Sequence, residues 1–257
     1  MSRVAEALSG GGKLIGYFPA GFPTTSQSVE AAVAMCEAGC NVLEFGIPYS
    51  DPVMDGPVIQ EATEVALSNG FKLTQLFDAL KQITARVETP IMVMTYWNPV
   101  IQYGVEKFAR DLKDSGAAGL ITPDLIPDEA REWLQISDAL DLDRVFLATP
   151  TSTQSRVDTA AALSRGFVYA VSTMGITGTR EDLDSLARGV VAKIRTADAE
   201  QKAAVGIGVS TADQVAEVNE YADAAIVGSA FVKAYQHGGL ESLRSKVTEL
   251  VAGLSKK

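Results

Sequence analysis

Eight short apolar runs, separated by stretches of helical period, constrain this chain more than any other feature. They fall at 14–18, 41–45, 91–95, 119–122, 145–148, 167–171, 204–207 and 224–227. Each is too short for a stable helix and rich in β-branched or aromatic residues. Each therefore reads as a strand buried on both faces, as in a parallel sheet. Between them, Val29, Ala32, Val33 and Cys36 recur at i, i+3, i+4 and i+7. Leu73, Leu76, Phe77, Leu80 and Ile83 form a second helical stripe, and Val105, Phe108, Ala109 and Leu112 a third. Thr24 with Gln27, and Ser210 with Asp213, have the spacing of capping boxes. Gly39, Gly116 and Gly166 each stand just before a strand, where a glycine that ends a helix belongs.

This repeated unit predicts an α/β chain folded as a (β/α)8 TIM barrel with a short extra N-terminal helix. The 257 residues match the usual barrel size of about 250. A doubly wound open sheet is the structural alternative, but no G-x-G-x-x-G opens the first helix. No linker or compositional break divides the chain, so 1–257 reads as one domain. Two connections exceed the others, 47–60 after the second run and 172–184 after the sixth. In a barrel such loops lie at the C-terminal ends of the strands, where active sites form.

Composition removes several function classes. Hydrophobic residues make up 47% and charged residues 21%, which excludes disorder. No apolar run approaches the roughly 18 to 20 residues of a membrane helix, and the N-terminal segment lacks the apolar core of a signal peptide. Cys36 and Cys40 cannot make a disulfide scaffold or a zinc site, and they read as small core residues in a reducing cytoplasm. Acidic residues number 32 against 22 basic, for a net charge of −10. Nucleic acid and anionic membranes are poor partners for such a surface. An anionic substrate would be held by backbone N–H groups and helix dipoles instead. The single histidine, His237, stands beside Gly238 and reads as a solvated residue near a helix end, with no metal role.

The candidate chemistry lies at the strand ends. Glu44 sits within the apolar run Val42-Leu43-Glu44-Phe45. It is either a strand-end carboxylate reaching solvent or a buried acid. Burial would raise its pKa into the range useful for proton transfer. Asp55 lies in the loop 51–57, where Asp-Pro and Asp-Gly pairs are ordinary turn chemistry, yet the loop returns to the barrel mouth. Gly206 and Gly208 follow the seventh run, and Gly228 and Ser229 the eighth. Those are the usual places for a phosphate in a barrel, although glycine also serves any tight turn. No lysine stands at a strand end to form a Schiff base, and one histidine is too few for a His-rich zinc site. What remains is a phosphorylated substrate worked on by carboxylates.

The segment 43–60, which runs through Glu44-Phe45-Gly46-Ile47-Pro48-Tyr49-Ser50-Asp51-Pro52 and Asp55-Gly56-Pro57 to Gln60, resembles the signature of the tryptophan synthase alpha chain family. The likeness runs nearly end to end. It includes Pro19-Ala20-Gly21-Phe22-Pro23, Tyr96-Trp97-Asn98-Pro99, Thr122-Pro123-Asp124-Leu125, Gly175-Ile176-Thr177-Gly178 and Gly206-Ile207-Gly208-Val209-Ser210. The resemblance implies a barrel that cleaves indole-3-glycerol phosphate to indole and glyceraldehyde 3-phosphate by a retro-aldol step, with no cofactor of its own. It implies Glu44 as the proton-shuttling acid and Asp55 as the acceptor of the indole N–H. It also implies phosphate contacts at Gly178, Gly208, Gly228 and Ser229, and an indole pocket of Tyr17, Met94, Ile121, Tyr169 and Thr177. Asp51, Pro52 and Asn98 match the side facing a pyridoxal phosphate-dependent beta chain, in an alpha2beta2 heterotetramer. Met54, Thr173-Met174 and Leu125-Ile126-Pro127 depart from the family's commoner residues. The competing readings are another phosphosugar barrel and a catalytically weak barrel that mainly activates a beta chain.

Overall fold

The structure, a computed structural model, describes residues 2–171, 180–206 and 208–255. Its elements begin with α1 (Arg3–Ala7), β1 (Lys13–Pro19), α2 (Thr25–Glu37), β2 (Val42–Gly46), α3 (Pro57–Ser68), α4 (Thr74–Thr84) and β3 (Ile91–Met94). Next come α5 (Trp97–Tyr103), α6 (Val105–Asp114), β4 (Gly119–Ile121), α7 (Arg131–Ala139), β5 (Asp143–Val145), β6 (Leu147–Ala148), α8 (Gln154–Leu163) and β7 (Val168–Val171). The chain continues through α9 (Arg180–Ala197), β8 (Ala203–Gly206), α10 (Ala212–Val218), β9 (Ala224–Val227) and α11 (Ser229–Val251).

The strands form one parallel sheet in the order β5-β4-β3-β2-β1-β9-β8-β7-β6. β5 and β6 stand at its two ends yet are joined through one residue, Phe146, so the chain itself closes the barrel. The sequence shows one strand at 145–148 where the structure has these two. The reason is local. Arg144 exchanges backbone bonds with Arg165 at 3.1 and 2.8 Å, and Phe146 N–H donates to Ser164 Oγ at 3.2 Å, which interrupts the ladder. The strand also starts earlier than its apolar run, at the buried charged pair Asp143 and Arg144.

Alternate residues on the strands build two layers. One lies between sheet and helices and includes Leu14, Phe18, Leu43, Phe45 and Val93. The other fills the barrel interior with Ile15, Val42, Met92, Ile121, Val145, Phe167 and Ala204. Val4 of α1 and Leu8, the cap of its C-terminal end, join the interior layer and cover its floor. The Asp143 carboxylate holds α1 there, accepting from Ser2 Oγ at 2.7 Å and from Val4 N–H at 3.4 Å. The inner layer is thus filled from below, and the cavity lined by Glu44 and Asp55 opens towards the C-terminal ends of the strands.

Helix ends follow the sequence signals with four shifts. Thr24 Oγ1 caps α2 by accepting from Gln27 N–H at 3.3 Å. The second capping box sits one residue later than Ser210 and Asp213: Thr211 is the cap and Gln214 its partner. With the helix starting at Ala212, Gln214 is the third helical residue, and its Oε1 accepts from both Ser210 and Thr211 N–H. Gly39 and Gly116 follow their helices directly with positive φ, whereas Gly166 lies two residues past the cap Ser164. The loop after β2 ends at Gly56, the cap of α3, rather than at Gln60, because Pro57 starts the helix. After β7 the helix begins at Arg180 rather than 184. α11 breaks at Gly238 and Gly239, so His237 ends a helical segment as its sequence context suggests, with Nδ1 2.6 Å from Lys233 O.

Candidate active site

β2 aims Glu44 into the barrel. Val42 belongs to the inner layer, so Glu44, two residues on, stands above it on the same face. Its register partners are Tyr17 on β1 and Met92 on β3. The next inward position is Gly46. A Cβ there would lie 2.2 Å from the Tyr17 hydroxyl oxygen, so glycine makes room for the phenol. Tyr17, Glu44, Asp55, Met94, Tyr169 and Ile226 line one cavity of about 430 Å³ with Gly208, Gly228 and Ser229.

Glu44 is 1% exposed, and its Oε1 has no hydrogen-bond partner. Burial alone pushes its carboxyl up to about 8, so it holds a proton at neutral pH. Asp55 comes from the loop after β2. Burial raises it to about 6, against a hydrogen bond with the Tyr96 hydroxyl that favours the ionised form. The Tyr96 hydroxyl also accepts from Met54 N–H at 2.8 Å, which fixes the loop carrying Asp55. Two carboxyls with separated proton affinities therefore face one space, one an acid and the other an anion at pH 7. Burial, then the two carboxyls, keep the phenols of Tyr17 and Tyr169 protonated.

The opposite wall suits an anion. Gly208 adopts φ +70, a conformation that other residues rarely take, and its missing Cβ leaves open space towards the cavity. α11 starts at Ser229 with Gly228 as its cap. The first helical bonds run from Phe231 and Val232 N–H to Gly228 O, so the N–H groups of Ser229 and Ala230 are free to meet a ligand.

Most residues anticipated from the sequence meet here. Ile121 does not. It is fully buried in the inner layer with Met92 and Val145, and Met94 rather than Ile121 presents its side chain to the cavity. Thr177 and Gly178 lie outside the described residues, as do Thr173 and Met174. Asp51, Pro52 and Asn98 stand on the outer rim. Asn98 Nδ2 donates to the Tyr49 hydroxyl at 3.3 Å, and Tyr49 stacks on Tyr96 with centroids 5.0 Å apart. The sequence reading missed Met54, Val209, Ser210 and Lys233, all on the cavity wall. Lys233 carried a signal: it follows Ser229 by four residues, one helical turn. Among the described residues there is no cluster of three or more His, Cys, Asp or Glu suited to a metal, and no helix long and apolar enough to cross a membrane.

A family model described as tryptophan synthase alpha chain matches residues 5–256. The tryptophan synthase alpha chain of Leifsonia xyli subsp. xyli is 57% identical over 258 residues, covering 98% of each chain. That of Mycobacterium marinum is 50% identical over 244 residues, covering 95% of this chain and 90% of the other. Among solved structures, tryptophan synthase from Mycobacterium tuberculosis matches with TM-score 0.93 and 44% identity, over 100% of this chain and 99% of that one. The tryptophan synthase complex from Pyrococcus furiosus matches with TM-score 0.84 and 35% identity, over 94% and 98%.

Proposed function

The chain belongs to the tryptophan synthase alpha chain family, and from that premise we propose that Glu44 and Asp55 carry its reaction in the cavity above β2. The enzyme is a carbon–carbon lyase: it cleaves indole-3-glycerol phosphate to indole and glyceraldehyde 3-phosphate. The observation that carries the site assignment is the buried, partnerless carboxyl of Glu44, pushed up to about 8, in the same cavity as Asp55.

The bond to be broken joins indole C3 to the glycerol carbon that bears the adjacent hydroxyl. Glu44 gives its proton to C3, which makes the ring an indoleninium cation and a competent leaving group. Asp55, ionised and fixed by Tyr96, accepts the indole N–H and stabilises that positive charge. The Glu44 carboxylate then takes the glycerol hydroxyl proton as the aldehyde forms, and the bonding pair returns to the ring. Glu44 ends protonated, as it began. Tyr17, Met94, Tyr169 and Ile226 wall the ring and exclude water. Gly208, Gly228 and Ser229 hold the phosphate; by the family resemblance Gly178 is a further phosphate contact and Thr177 a further indole-pocket residue, both outside the described residues.

These steps need no cofactor in this chain. Pyridoxal phosphate belongs to the beta chain, which seats on the rim at Asp51, Pro52 and Asn98 and receives the indole in an alpha2beta2 assembly in the cytoplasm. Residues 1–257 act as one domain. The test is Glu44→Gln, which keeps the shape but cannot cycle a proton. Turnover should fall at least about a hundredfold, with KM nearly unchanged. Near-normal turnover would remove Glu44 from the mechanism.

A further inference from the structure

We propose that Lys233 supplies the positive charge that meets the substrate's phosphate, in a site otherwise built from uncharged backbone donors. The inference rests on the phosphate reading above. Lys233 lines the cavity together with Gly208, Ser210, Gly228 and Ser229. It lies one turn beyond Ser229 on α11, so the two side chains share a helix face. Four residues of helix rise by about 6 Å. Long helical side chains favour rotamers that lean towards the N-terminal end, and the four-carbon stem of Lys233 is long enough to bring an ammonium back over that rise, towards the N–H groups of Ser229 and Ala230.

What sets Lys233 apart is its place on the cavity wall. The chain carries 32 acidic and 22 basic residues. Several lysines elsewhere are engaged, Lys107 with Asp111, Lys113 with the Asp141 carbonyl, Lys193 with the Pro150 and Ser152 carbonyls, Lys202 with Asp223, and Lys246 with Glu249, whereas the side chains of Lys13 and Lys72 are not. The Lys233 ammonium has no such partner among the described residues, where only its backbone carbonyl is used, by His237. Lys233 is also the one cation on the described cavity wall, opposite the carboxyls of Glu44 and Asp55.

A phosphate ester brings up to two negative charges into a space that already holds an ionised carboxylate. A helix N-terminus offers about half a unit of positive charge in compensation. A full ammonium at the same end offsets most of the remainder and acts as a point-charge phosphate ligand. The unpartnered Glu44 Oε1 in the same cavity is independent evidence that the space is built to receive a ligand. Lys233 thus makes the phosphate an electrostatic handle, selecting phosphorylated over unphosphorylated indole-glycerol compounds.

The experiment compares Lys233→Met and Lys233→Arg in the full chain, with Ser229→Asp as the site control. Steady-state cleavage of indole-3-glycerol phosphate gives kcat and KM. Competition by inorganic phosphate and direct binding of indole separate the two halves of the cavity. Lys233→Met should raise KM and the phosphate inhibition constant about tenfold at low salt, the size of one charge-assisted contact, with kcat within about twofold and indole binding unchanged. Lys233→Arg should recover most of the loss, and the gap should narrow as ionic strength rises. Unchanged phosphate affinity in Lys233→Met, with affinity lost in Ser229→Asp, would keep the phosphate site and remove Lys233 from it. Unchanged affinity in both would overturn the phosphate reading itself. A parallel loss of kcat and indole binding in Lys233→Met would reduce Lys233 to a structural role.

Discussion

The acid that serves the reaction should weaken the fold, and the cost can be worked out from Glu44. An unfolded glutamate titrates near 4.5, and in the folded chain Glu44 is held up at about 8 by burial alone. Between those values the folded state binds one proton more than the unfolded state. Stability therefore falls as pH rises, by about 1.4 kcal/mol per pH unit. Below 4.5 both states are protonated and nothing is lost. At pH 7 the loss is about 3 kcal/mol, and above 8 it levels off near 5 kcal/mol, an upper bound because relaxation and water entry screen part of it. Glu44→Gln has no such titration. Its buried amide carries a cost of its own, but that cost is the same at every pH. Asp55 is raised in the same sense and is common to both proteins, so it cancels in the difference. Urea unfolding of both proteins at pH 5, 7 and 9 gives the comparison directly. The variant should gain on the native chain by roughly 3 kcal/mol or more between pH 5 and 9, while losing its turnover. Parallel stability profiles would refute the argument, because they would mean that Glu44 titrates alike in both states.

Other outcomes follow from the same site. The pH profile of kcat/KM for the isolated chain should be a bell with limbs near 6, from Asp55 losing its proton, and near 8, from Glu44 losing its own. Tyr96→Phe removes the hydrogen bond that favours ionised Asp55, so it should move the acid limb upward and leave the alkaline limb in place. Gly46→Ala drives a Cβ to 2.2 Å from the Tyr17 hydroxyl, and thermal or urea unfolding should show a loss of about 1–3 kcal/mol, with weaker indole binding. Asn98, Tyr49, Tyr96 and Asp55 form a continuous chain of contacts from the rim to the acid. A cognate beta chain on that rim should speed indole release at least about tenfold, a coupling of roughly 1.4 kcal/mol, and an unchanged rate would break the link.

What the sequence displays and what it conceals have distinct physical causes. Strands buried on both faces leave continuous apolar runs, so the barrel rhythm and the anomaly of Glu44 are visible without coordinates. Asp143 and Arg144 are buried as well, but their charges hide the start of their strand from any apolar count. Asp55 sits in turn chemistry that many loops share. Its neighbours alone favour a plain turn, and only the long resemblance around it points to the active site. Ile121 and Met94 are adjacent strand ends in register, and which of them reaches the cavity depends on a height along the barrel axis that sequence does not encode. Lys233 escaped notice because helical lysines read as solvated. Its meaning comes from the end of the helix it leans towards, and that end is defined only once β9 delivers the chain to Gly228.

The tether between α1 and Asp143 bears on traffic rather than stability. Val4 and Leu8 pack against the inner layer at the floor of the barrel, and the described cavity lies above them, towards the C-terminal ends of the strands. Indole is uncharged and could otherwise seep out through any apolar gap below. With apolar side chains filling the floor, departure towards the rim at the strand C-terminal ends is the open direction among the described residues. A receiver seated on that rim would stand in the path that the packed floor favours.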